Sequence, residues 1–163
     1  MSDVENEYLT FILDGEEYGV SILAVQEIRV WSTVTDMPNT PDYVKGVINL
    51  RGVIVPIVDL RERLNKSSAT YNENTVVIVL KETINEQTVV VGIVVDAVSD
   101  VYKFSDKEIK SSPDFGAEID SRFIYGMATI EEKIIIMLDA VKLLDIKELY
   151  QNQIPHQMSS IAS

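Results

Sequence analysis

The sequence predicts a mainly β protein: two pseudo-symmetric five-stranded subdomains around a shared core, with few short helices and a C-terminal helix. Three observations predict it. Runs rich in Val, Ile and Thr recur between turn signals, most clearly in NTVVIVLKETINEQTVVVGIVV. An ordered echo links the two halves of the chain. Apolar spacing of helical period is confined to short stretches after Asp59 and Asp139.

Taken in order, EYLTFIL (7–13) alternates in part and ends in the turn signal DGEE, after which EYGV resumes a strand. YGVSILAVQEI (18–28) continues it, and EIRV leads to Trp31 at the head of a polar loop, WSTVTDMPNT. Trp31 reads as a lid over a barrel end in preference to an interface anchor. YVKGVINL (43–50) enters a strand that turns at Arg51–Gly52 and leaves through VIVPIV (53–58). Pro56 has no N–H, so it is expected on an edge or at a bend. Asp59 is placed to cap a helical turn through LRERL, with Glu62 as its capping-box partner. The second half repeats the pattern with a hairpin about Asn85 and Glu86, then MATIEEKIIIML turning at Glu131, Glu132 and Lys133. Asp139 opens the last helix, DAVKLLDIKELY, and the polar segment after Tyr150 reads as a loose tail.

The echo aligns 18–28 with VGIVVDAVSDV (91–101), setting Val25 over Val98 and Glu27 over Asp100. It aligns 43–50 with FIYGMATI (123–130), setting Gly46 over Gly126, and both aliphatic runs end in an aspartate, Asp59 and Asp139. Single matches are weak; the preserved order of four landmarks is not. The expected division is one domain over 8–150, with subdomains 14–70 and 71–138, terminal elements crossing between them, and flexible tails at 1–7 and 151–163.

Composition narrows the function. A chain of 163 residues, 46% of them hydrophobic, suffices for one compact unit or two small ones sharing a core. No apolar run approaches a bilayer span, and the acidic start MSDVENE lacks the basic region of a secretory signal. With 26 acidic against 14 basic residues and a formal charge of −12, the surface repels phosphate backbones and anionic lipid, so neither nucleic acid nor direct membrane insertion is expected. Absence of cysteine removes disulfides and thiolate chemistry and fits a reducing cytosol. The single histidine, His156, lies in the polar tail, so no ordinary zinc site is expected. No nucleophile elbow, Walker loop or dinucleotide fingerprint occurs, and DGEE and IEEK read as exposed turns. Binding therefore ranks above catalysis.

For binding, Arg51 stands at a turn between two apolar strands. Its fork either pairs with a carboxylate, Glu27 being the candidate at the end of a neighbouring strand, or remains an ordinary surface cation. The segment KSSPDFGAEID (110–120) lengthens the second half, and Phe115 is its only aromatic residue. That phenylalanine reads equally as an interface anchor or as a side chain tucked beneath its own loop.

INLRGVIVPIVDLR, preceded by YGVSILAVQEIR and followed by NTVVIVL and VVGIVVDAVSDV, closely resembles the CheW family of chemotaxis coupling proteins. The individual words are weakly specific; their order and spacing from about Tyr8 to Leu144 are highly specific. The resemblance implies two SH3-like barrels and a non-enzymatic adaptor without cofactor. Such an adaptor joins the cytoplasmic tip of chemoreceptors to the regulatory domain of the histidine kinase CheA. It implies a cytoplasmic protein, monomeric alone, recruited to membrane receptor arrays in ternary complexes. A CheV-like or other β-barrel scaffold in a different pathway is the alternative. Carried over residue by residue, the receptor-facing set is Val25, Glu27, Thr35, Arg51, Val76, Val98 and Val101. The kinase-facing set is Lys110, Asp114 and Phe115, with Lys110 replacing the family's more usual arginine. Gly46, Gly92 and Gly126 match glycines whose substitution disturbs coupling in relatives.

Overall fold

The fold is described from a computed structural model over residues 4–64, 66, 70–111 and 123–144. Its strands are β1 (Glu5–Leu13), β2 (Glu16–Ser21), β3 (Val25–Val30), β4 (Val44–Leu50), β5 (Val53–Asp59), β6 (Val76–Ile84), β7 (Gln87–Val95), β8 (Ala97–Ser105), β9 (Ile124–Ile130) and β10 (Lys133–Leu138). Two short helices, α1 (Leu60–Arg63) and α2 (Ala140–Leu144), follow β5 and β10. The expected continuation of the last helix to Tyr150 and both ends of the chain (1–3, 145–163) lie outside the described residues. Four hairpins turn on two residues each: Asp14–Gly15, Arg51–Gly52, Asn85–Glu86 and Glu131–Glu132. All eight have positive φ. That is the geometry whose twist matches paired strands, and each non-glycine residue held in it costs roughly 1–2 kcal/mol. Lys133, expected in the last turn, opens β10 instead.

One sheet runs β8-β1-β2-β10-β9 and the other β3-β6-β7-β5-β4. The sheets therefore group the chain differently from the expected division at 70/71. Each takes the first hairpin of one repeat and the last three strands of the other. The joins are parallel ladders, β5 on β7 (Ile57↔Gly92) and β10 on β2 (Met137↔Gly19). A parallel ladder cannot be closed by a short turn, so each hairpin is free to pair with the opposite repeat. The chain crosses between sheets twice, through a 3-10 turn (Ile22–Ala24) and through Asp96.

Three apolar clusters follow from this exchange. The largest lies between the sheets and joins Leu9, Phe11, Leu13, Tyr18 and Val20 to Ile78, Leu80, Ile93 and Val95, with Leu60 and Leu144 from the helices. Each sheet has a smaller cluster on its other face: Leu50, Val55, Ile57, Val77, Val79 and Val94 in one, Tyr8, Phe104, Ala128, Ile135 and Met137 in the other. Both sheets are thus apolar on two faces, which explains the near-continuous β-branched runs in place of strict alternation. Trp31 packs on the first small cluster and meets Tyr71 edge-on at 4.4 Å, as a lid does.

Pro56 is not on an edge. It lies in β5, between β7 and β4, opposite Val47. Val47 gives both its backbone groups to Thr35 on its far side, at 2.8 and 3.0 Å, and so asks nothing of Pro56. The ladder from β5 to β7 begins only at Ile57. The missing N–H falls where no partner needs it.

The two aspartates that end the aliphatic runs cap their helices as expected. Asp59 accepts from the Glu62 amide and Asp139 from the Lys142 amide, each at 3.2 Å. They differ in burial. Asp59 is 1% exposed and also accepts the Tyr71 hydroxyl proton. Burial and that bond to the Asp59 carboxylate both push the Tyr71 hydroxyl pKa upward. Asp139→Ala should lose a cap worth about 1 kcal/mol, whereas Asp59→Ala also orphans a half-buried hydroxyl and should lose about 2–3 kcal/mol. Urea unfolding of both variants checks the order, and equal losses would refute it.

Candidate functional site

β3 carries the charged part of the site. Its side chains alternate because a strand sends successive residues to opposite faces. Glu27 accepts from Arg51 Nη2 through one oxygen and from Arg29 Nη1 at 3.2 Å through the other. Arg51 reaches it from the β4–β5 turn, where Gly52 N donates to Asn49 Oδ1 at 2.8 Å. Hydrogen bonding from Arg51, ahead of that from Arg29, holds the Glu27 carboxyl below the ordinary value of 4.5. The pair inferred from sequence is present. Glu27 does not end its strand, however: β3 continues to Val30.

Directly opposed residues of an antiparallel pair share a face. Val30↔Val76, Ile28↔Ile78 and Val25↔Leu80 place those β3 side chains on the face that builds the inter-sheet core. Val98↔Phe11 and Val101↔Leu9 do the same from the other sheet. Val25, Val76 and Val98 are half-buried against that core, and Val101 is exposed. Glu27 opposes Val79, which belongs to the cluster on the opposite face. A bulge at Gln26 makes the difference: it breaks the two-residue period between Val25 and Glu27. The seven expected receptor-facing residues therefore do not share one face. Four valines line the inter-sheet side, Glu27 and Arg51 sit on the other, and Thr35 lies beyond the end of β3. Ile28 and Val30, 45% and 71% exposed, add apolar surface to the same strand that the sequence reading did not single out. The alternation Glu27-Ile28-Arg29-Val30 is the signal that would have found them.

Thr35 and Lys110 occupy equivalent places. Thr35 exchanges both backbone hydrogen bonds with Val47, and Lys110 exchanges both with Met127, at 2.7 Å each. Each bridge links the continuation of one edge strand, β3 or β8, to the opposite edge, β4 or β9, and so stitches the two edges of its sheet together. Gly46 and Gly126 immediately precede Val47 and Met127. A methyl on Gly46 would overlap the Thr35 carbonyl oxygen, and one on Gly126 would lie 2.6 Å from that of Lys110. Gly92 faces side chains instead: a methyl there would lie 2.7 Å from Ile57 Cδ1 and 2.8 Å from Val77 Cγ1. The Lys110 side chain is exposed, while Asp114, Phe115 and His156 lie outside the described residues.

Two charged features escaped the sequence reading. Glu17 of the DGEE turn is not exposed but 6% accessible, held by Lys133 Nζ at 2.9 Å. Arg63 of α1 lies between the Tyr43 and Phe123 rings, at 4.7 and 4.5 Å from their centroids, bringing together aromatics from equivalent points of the two repeats. No helix among the described residues is long and apolar enough to cross a membrane.

Residues 7–148 match the CheW-like domain family. The chain is 47% identical over 146 residues to chemotaxis protein CheW of Klebsiella aerogenes, covering 90% of this chain and 86% of that one. It is 40% identical over 133 residues to chemotaxis protein CheW of Rhizobium meliloti, covering 82% and 83%. The crystal structure of scaffolding protein TtCheW from Thermoanaerobacter tengcongensis superposes with a TM-score of 0.77 at 30% identity, over 89% of this chain and 96% of that one.

Proposed function

The chain belongs to the CheW-like domain family, and from that premise we propose that it is a non-enzymatic chemotaxis adaptor coupling the cytoplasmic tips of chemoreceptors to the histidine kinase CheA. The observation that supports it most is the Glu27–Arg51 pair, which holds a charged group at an exposed turn beside the edge strand β3 with its exposed Ile28 and Val30. In this reading the inter-sheet face with Val25, Val76, Val98 and Val101 receives the apolar stripe of a receptor helix, and Glu27 and Arg51 meet polar groups of the receptor from the other side of the edge strand β3. Thr35 fixes the end of that face, and Gly46, Gly92 and Gly126 hold the backbone shapes on which coupling depends. Lys110, Asp114 and Phe115 meet the regulatory domain of CheA on a separate surface, so the two contacts do not compete. The adaptor would work in the cytoplasm at membrane receptor arrays. To pass a signal it must bind two receptor states with different affinity.

Calorimetric titration into the isolated regulatory domain of CheA tests the kinase half: saturable binding supports it, and no binding to the folded domain overturns it. Arg51→Asn tests the receptor half. Asn-Gly is the preferred pair for this turn, so the unfolding midpoint should hold or rise. Receptor-dependent kinase activation should nonetheless fall about tenfold through loss of the charged contact. Activation at the wild-type level would remove Arg51 from the site.

A further inference from the structure

Replacing each strand by its counterpart in the other repeat (β1 by β6, β2 by β7, β3 by β8, β4 by β9, β5 by β10, and the reverse) turns the order of one sheet into that of the other. The repeats are therefore related by an approximate twofold, and a group touched alike by both copies lies close to its axis. Arg63 is such a group. Tyr43 and Phe123 stand immediately before β4 and β9, and their carbonyls accept from equivalent amides, that of Asp59 at 2.7 Å and that of Asp139 at 2.9 Å. The Arg63 guanidinium lies over both rings, 4.7 and 4.5 Å from their centroids, and the residue is only 9% exposed. Counted from the capping aspartates, its counterpart in α2 is Leu143, buried in the inter-sheet core.

The fold thus accepts an apolar side chain at this place in its other copy. Exchanging a buried charged side chain for a well-packed apolar one is often neutral or stabilising, so stability alone does not account for an arginine. Its shape does. A guanidinium is planar and offers one flat face to each ring, so two rings stacked on it keep a fixed separation. Tyr43 leads into β4, which carries Gly46 and Val47 of the Thr35 bridge and runs to the Arg51 turn. Phe123 leads into β9, which carries Gly126 and Met127 of the Lys110 bridge. Arg63 therefore ties the strand behind receptor-facing residues to the strand behind a kinase-facing one. We propose that Arg63 is a positioning residue for coupling: it holds the two repeats at one angle, and hence the receptor surface at one disposition to the kinase surface, while touching neither partner. Its functional half rests on the adaptor reading above; its structural half does not.

Two measurements test these halves separately. The chain has no cysteine, so Ile54→Cys and Ile134→Cys, at exposed positions in β5 and β10, take one spin label each. The distance distribution between the labels should broaden in Arg63→Leu and in Tyr43→Leu. It should return toward the wild-type width in Arg63→Lys, which keeps a cation between the rings. Without labels, Arg63→Leu should lower receptor-dependent activation of CheA about fivefold, and Arg63→Lys should recover it. The Arg63→Leu affinities for a soluble receptor-tip fragment and for the CheA regulatory domain, measured one at a time, should stay within about twofold of wild type. Its unfolding midpoint should hold or rise. An unchanged distance distribution in Arg63→Leu overturns the proposal whatever the partners do. A broadened one with wild-type activation also overturns it. So does a loss of activation matched by an equal loss of either affinity, which would make Arg63 part of that contact. Should Arg63→Leu not fold, Tyr43→Leu decides by the same measures. If wild type neither binds the regulatory domain nor activates the kinase, the adaptor reading fails and the coupling role with it, a result told apart from the others by distances that still broaden.

Discussion

Gly46→Val should be the most damaging single substitution in the protein outside the apolar core, lowering stability by about 3–5 kcal/mol. Two independent causes act at that residue. Its φ is +148°, where side chains are rarely tolerated, and a Cβ would overlap the Thr35 carbonyl oxygen while lying 2.8 Å from Val34 Cγ2. The Thr35 carbonyl cannot move away cheaply, because it is the acceptor for the Val47 amide that stitches the sheet edges. Gly126→Val meets only the second cause, with Lys110 O at 2.6 Å and Ile109 Cγ2 at 2.7 Å, and should cost less. Gly52→Asn is the control. Its φ is also positive, but nothing lies within 4 Å of the added atom, and asparagine accepts that conformation. Urea unfolding should rank the losses Gly46 above Gly126 above Gly52. A Gly46→Ala protein as stable as wild type would show that the bridge is slack. Because that bridge fixes where β3 ends, a coupling defect in any folded Gly46 variant is expected without contact to a partner.

Much of this was legible in the chain. Turn pairs such as Asn85–Glu86, flanked by β-branched runs, gave hairpins directly, and Asp59 and Asp139 gave helix starts, because both signals are local. The Glu27–Arg51 pair was found because Arg51 interrupts two apolar strands at a turn and Glu27 lies on a strand expected to neighbour that turn. What escaped is what sequence separation hides. The echo identified two repeats but could not say that they exchange hairpins, since a parallel ladder between β5 and β7 leaves no mark at either strand. The bulge at Gln26 changes which face Glu27 occupies; its only trace in VQEIRV is the doubled polar pair Gln26–Glu27, which a period-two reading passes over. Pro56 looked like an edge residue because its acceptability depends on Thr35, twenty-one positions away. Glu17 looked exposed because its turn is acidic, while its burial is decided by Lys133 across a parallel pairing.

That last contact has a consequence for pH. Burial pushes the Glu17 carboxyl upward, and contacts from Thr10 and Lys133 outweigh it, holding the pKa below 4.5. The Thr10 hydroxyl has one proton and also lies 3.2 Å from the Asp100 carbonyl, so it is a shared donor, and Glu17 Oε2 has no partner of its own. Lys133 is accordingly the decisive contribution. A carboxyl whose folded pKa is depressed adds stability above its unfolded value, lost as pH falls through the folded value. In Lys133→Met burial should prevail and raise the pKa above 4.5, so that the charged carboxylate destabilises the fold at neutral pH and the penalty is relieved on acidification. The wild type and the variant share every other carboxylate, so the gap between their urea midpoints isolates this one. It should be widest near pH 7 and close as pH falls past 4.5. A gap that stays constant from pH 7 to pH 3 would mean that Lys133 supports the fold by packing its stem on Tyr102, whose ring centroid lies 5.5 Å from Nζ, and not by neutralising Glu17.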